Sequence, residues 1–188
     1  YSTNYSYNLR IGSYTQRPAV FAWEDLTSGA PDLGVTNGGY VSGDLMGFAF
    51  PFYGRACSTV HVSDNGFVTF DTNLVNSYWN DRLPSTGQPN AIIAPYWEDL
   101  IPTSGVTRCK QFGVAPDRRW VMEWNQMMLY YMPTPGGYYT FQLVLYEDGR
   151  IKFQYGALDG AMSNGVSATV GIENFEGDTG IEYSYNTS

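Results

Sequence analysis

Apolar and polar residues alternate with a period of two along most of the chain, and no segment sustains the 3.6-residue period of an amphipathic helix. The pattern is clearest from Tyr139 to Tyr155. Phe141, Leu143 and Leu145 alternate with Gln142 and Val144, and Ile151, Phe153 and Tyr155 alternate with Lys152 and Gln154. A two-residue Asp148-Gly149 loop would set Leu145 against Lys152 and mismatch the faces. A three-residue loop, Glu147 to Gly149, pairs Leu145 with Ile151 and Leu143 with Phe153, with Gly149 in the left-handed position of a bulge turn. The same reasoning makes Asp64-Asn65-Gly66 a loop, with Val60, Val62, Val68 and Phe70 on one face and His61, Ser63, Phe67 and Thr69 on the other. Further strands are expected at Tyr40–Phe50, Ala91–Tyr96, Thr107–Phe112, Trp120–Tyr131, Val166–Glu173 and Ile181–Tyr185, separated by Gly, Pro and Asn turn signals. Many short strands without helical crossovers predict an all-β fold: a two-sheet antiparallel β-sandwich, jelly-roll-like, with little or no helix. Asn73 to Asn90 is the longest polar loop, a place where sandwiches often carry function.

Composition agrees with that pattern. Aromatics make up 16% of the 188 residues and Gly numbers 21, whereas charged residues are only 15%, a mixture of strand formers and turn formers. No linker divides the chain, so residues 1–188 read as a single domain, with 1–14 as an edge or donor strand. The net charge of −8 repels phosphate, which argues against nucleic acid and anionic membranes, and no apolar run is long enough to span a bilayer. The sequence begins at Tyr1 and reads as a mature form or an excised domain. Cys57 and Cys109 fit one disulfide in an oxidising compartment, worth about 4 kcal/mol by loop closure; two buried free thiols are the alternative.

Several segments, taken in order, resemble the extracellular nidogen-type (NIDO-like) domain found in secreted bacterial and plexin-domain-containing proteins. They are Phe48 to Gly54 (FAFPFYG), Val60 to Phe70 (VHVSDNGFVTF), Pro89 to Leu100 (PNAIIAPYWEDL), Val121 to Trp124, Thr140 to Gly149 (TFQLVLYEDG), Ala168 to Ile172 and Gly180 to Tyr183. The resemblance covers roughly residues 45 to 185 and leaves out the first 40. It implies an extracellular, secreted or cell-surface β module associated with matrix or adhesion, and it supplies no catalytic residues.

The residues give little chemistry to catalysis. Retaining glycoside hydrolysis needs two carboxyls facing one cleft; Glu98 and Asp99 are adjacent and point apart on a strand, which leaves Glu123 as a partner for one of them. Pairing of these acids with backbone amides or with Arg82, Arg118 and Arg119 is the plainer reading. His61 is the sole histidine, so neither a nucleophilic triad nor a zinc site is expected. No cofactor is implied beyond a structural calcium, for which Asp64, Asp81 and Asp99 are the candidate ligands.

Binding and assembly fit the sequence better. Tyr78, Trp79, Tyr130, Tyr131, Tyr138 and Tyr139 are candidate contact aromatics; in each Tyr-Tyr pair one ring should face the core and the other outward. The tetrapeptide Tyr5-Ser6-Tyr7-Asn8 recurs as Tyr183-Ser184-Tyr185-Asn186, and Leu9 and Ile11 alternate around Arg10. Tyr5, Tyr7, Leu9 and Ile11 therefore belong to a strand-competent segment that could pair with its own sheet or with a neighbour's. Asn4 and Asn186 stand in glycosylation acceptor sequons. The expected function is a non-enzymatic extracellular adhesive or structural module, self-assembling through edge-strand pairing, with copies of itself or a matrix protein as partner. A carbohydrate-binding module and a sandwich glycosidase are the alternatives.

Overall fold

The computed structural model describes residues 13–73, 75–133, 137–160 and 162–187. Among them there are thirteen strands and no helix. One sheet has six strands in the order β1 (Tyr40–Gly43), β4 (Val60–Ser63), β5 (Val68–Thr69), β6 (Ile92–Trp97), β12 (Thr169–Glu173) and β13 (Gly180–Tyr185). The second runs β11 (Ile151–Leu158), β10 (Tyr139–Tyr146), β9 (Arg119–Leu129) and β7 (Leu100–Ile101), with β8 (Val106–Phe112) also paired to β9. A small ribbon joins β2 (Phe50–Phe52) to β3 (Arg55–Cys57). All pairings are antiparallel, and the fold is an all-β sandwich.

The expected registers hold. Leu145 pairs with Ile151 and Leu143 with Phe153 around a loop in which Gly149 takes φ +91°. Val62 pairs with Val68 across Asp64-Asn65-Gly66. The predicted strand Tyr40–Phe50 is instead broken after Gly43, and β2 turns straight back into β3. That turn is Tyr53-Gly54, both at positive φ as a two-residue hairpin loop requires.

Strand alternation fills the core. Val60, Val62, Val68 and Ile93 point from the first sheet onto Trp120, Met122, Trp124, Phe141, Leu143 and Leu145 of the second, and Phe50 and Phe52 join them from the ribbon. Burying each large side chain is worth about 1.5–3 kcal/mol. Trp124 Nε1 donates across the core to the Ser63 carbonyl at 2.8 Å, and Tyr155 Oη to Pro95 O at 2.8 Å.

Both outer faces are covered as well. Loop 73–90 brings Leu83 onto Phe67, Ile92, Ala94 and Trp97 of the first sheet. Residues 20–33 form a strap over the second sheet, where Leu26 and Ala30 meet Val121 and Val144.

Cys57 and Cys109 are free thiols, which corrects the expected disulfide. Cys57 sits on the ribbon, buried, with its Sγ directed at the Arg55 carbonyl. Cys109 lies on β8 of the second sheet, beside Trp120. Burial raises both thiols, Cys57 to about 11.

Candidate functional site

Residues 75–90 and the neighbouring edge strand β13 carry three of the exposed aromatics, Tyr78, Trp79 and Tyr183. Tyr78 and Trp79 stand out from the loop, 51% and 75% exposed. The backbone beneath them is fixed. Trp97 Nε1 donates to Ser77 O at 3.0 Å, and Ser77 Oγ to Trp79 O at 3.1 Å. Asn80 Nδ2 donates to Ser167 O and Thr169 Oγ1, both at 3.0 Å, and to Asn186 Oδ1 at 2.8 Å. Farther along, Arg82 pairs with Glu182 at 2.9 Å and lies over the Tyr185 ring, and Glu173 accepts the Ser85 N–H at 2.7 Å. Tyr183 on β13 is exposed.

The other sequence candidates fall elsewhere. Tyr139 is buried and Tyr138 half-buried, as alternation requires. Tyr130 and Tyr131 are both exposed, because β9 ends at Leu129 and alternation stops with it. Tyr131 Oη lies 3.7 Å from Met162 Sδ, while Tyr96 and Tyr139 bond the Met162 backbone, so three tyrosines converge on one loop residue. Asn186, at φ +49°, is exposed and accepts the Asn80 bond through Oδ1. Asn4, Tyr5, Tyr7, Leu9 and Ile11 lie outside the described residues, as does all but the end of the 1–14 donor strand; Tyr14 bonds Pro51 O and packs on Phe52 and Tyr53.

The carboxylates are dispersed. Asp64 is fully buried: Oδ2 accepts the Gly38 N–H at 2.6 Å and Oδ1 has no hydrogen-bond partner among the described residues. Burial raises it to about 7, against the Gly38 bond that favours its charge. Asp81 is exposed by the loop, and Asp99 is half-buried, near enough to Asp64 and Glu98 to raise both; among the described residues no group of three or more potential ligands is placed to hold a metal. Glu98, raised by burial, lies with Ser167 and Tyr131. Glu123 is on the other sheet, under the strap, where it accepts from Gln142 Nε2 at 2.8 Å and sits 3.6 Å from Arg108. The two glutamates do not share a cleft. Arg118 and Arg119 pair with Glu147 and Glu24 instead.

Sequence reading missed the polar contacts that hold the strap. Gln142 accepts the Glu24 N–H at 3.2 Å and donates to its carbonyl at 2.7 Å, while Gln154 accepts the Ala22 N–H at 2.7 Å. Gln142 and Gln154 occupy polar positions of alternating strands, a pattern that by itself signals only a solvent-facing side.

An antiparallel sandwich with aromatic residues on its loops defines a β-rich module. The family model described as NIDO related matches residues 4–188, and the chain belongs to this nidogen-related family, whose domains are generally extracellular. The match takes in residues 4–40, which the sequence motifs left out. No curated protein and no solved structure matches the chain. No helix among the described residues is long and apolar enough to cross a membrane.

Proposed function

We propose that the chain is a non-catalytic, secreted or cell-surface adhesive module that assembles with copies of itself by edge-strand pairing. The observation that carries this reading is β13. It is the last strand of the six-stranded sheet among the described residues, and its sequence GIEYSY holds neither Lys nor Pro, the usual guards of a sheet edge. Its one charge, Glu182, is neutralised by Arg82. An incoming strand from a neighbouring copy would add main-chain hydrogen bonds to this edge, with Tyr183 supplying contact area. A matrix or surface protein offering an extended strand would use the same edge.

Sedimentation velocity across a wide concentration range tests the reading. Concentration-dependent growth is expected for the wild-type chain. Tyr183→Lys places a charge at an exposed edge position and should weaken association by about tenfold, or 1.4 kcal/mol. A particle that stays monomeric at every concentration sinks the proposal, and equal association of the variant removes β13 as the route.

A further inference from the structure

Tyr78 and Trp79 are not accounted for by the β13 edge. Their rings are 5.3 Å apart between centroids and inclined by 41°. The residues on either side are tied to the sheet by Trp97, Thr169 and the three bonds of Asn80, and Thr169 Oγ1 also holds the Asp81 carbonyl at 2.8 Å. The backbone that carries the two rings is therefore anchored, and their apolar surface stands exposed at a cost in hydration. Aromatic rings held this way meet a ligand with little loss of conformational freedom. Asp81 and Arg82, both exposed, come two and three positions after Trp79, with Arg82 held by Glu182 on β13.

We infer that Tyr78 and Trp79 form a stacking platform for an uncharged, pyranose-based glycan. Size selects this occupant. Two rings at one loop tip offer far less than the roughly 800 Å² that each partner contributes to a stable protein interface, whereas the C–H face of a sugar covers about one ring. Geometry agrees, since two neighbouring, mutually tilted rings can take two successive sugars of a twisted glycan, one on each. Charge narrows the class further: a chain of net charge −8 repels sulfated and uronate-rich polymers.

The test uses the intact chain on a glycan array, followed by tryptophan-fluorescence titration with cellohexaose, xylohexaose, mannohexaose and chitohexaose, and a heparin hexasaccharide as the anionic control. At least one neutral oligosaccharide should bind. Trp79→Ala should weaken it by about tenfold or more, which is 1.4 kcal/mol, and Trp79→Phe should retain most of the affinity. Both variants alter an exposed side chain, and an unchanged thermal melt will show that they fold. Tyr183→Lys should leave glycan binding intact, which separates this site from the β13 edge. Absence of binding to every neutral glycan, binding of heparin alone, or binding indifferent to Trp79→Ala overturns the inference. Loss of self-association in Trp79→Ala without glycan binding also overturns it and gives the rings to a second copy.

Discussion

Asp64 shows how a short loop can bind the stability of the fold to pH. One carboxylate oxygen holds the Gly38 amide while the other is buried without a hydrogen-bond partner among the described residues. Burial lifts both Asp64 and Glu173 to about 7, from ordinary values of 3.8 and 4.5. Because the folded state holds these protons more tightly, their contribution is fully present below pH about 4 and is lost as pH rises through 7. Urea denaturation from pH 4 to pH 8 should show stability falling across that window, with a shallower fall in Asp64→Asn. A pH-independent midpoint would contradict the assignment. Next to it, Gly66 has φ +74°, and a Cβ there would lie 1.9 Å from the Tyr96 carbonyl oxygen. Gly66→Ala combines left-handed strain with a backbone clash and should cost more than about 2 kcal/mol in the same denaturation assay.

Strands and hairpins were legible because alternation and turn residues act locally. The 64–66 and 147–149 loops follow from matching faces across a hairpin, a constraint that only one loop length satisfies. The β2–β3 ribbon was not legible, since Tyr53-Gly54 lacks the Asn or Asp that marks such turns. Coverage of the outer faces was hidden for a different reason. Gln142 and Gln154 look solvated along their strands, and only the return of residues 20–33 makes them interior. Among the site residues, Tyr78 and Trp79 could be picked out from sequence as aromatics in a long polar loop, but not the anchoring of Asn80 by three distant acceptors. The strap yields its own test. Gln142→Leu keeps the bulk but leaves the Glu24 peptide and Glu123 without their partner, and should destabilise by about 2–3 kcal/mol. Hydrogen exchange should quicken first at residues 20–33; uniform quickening over both sheets would show that the strap is not a separate unit.

For the molecule as a whole, stability rests on two packed sheets and their coverings, with no covalent staple among the described residues. Alkylation with iodoacetamide after unfolding, without reductant, should therefore label both Cys57 and Cys109, and dithiothreitol should leave the melting temperature unchanged. A mass that shows neither thiol labelled until reduction would restore the disulfide. The number and spacing of the cysteines do not report whether they meet; that depends on the tertiary fold, in which both stay free.

The strap also sets an order of events during synthesis. Residues 22 and 24 emerge from the ribosome early, but Gln142 and Gln154, which grip them, follow 118 and 132 positions later. Contacts of such long separation close slowly. Until the β9–β11 sheet exists, the strap has no place to dock, so each newly made chain carries a waiting segment whose receptor surface is also offered by any neighbour whose own strap has yet to dock. Crowded nascent chains are the setting in which exchange of this segment between molecules competes with its return to its own sheet.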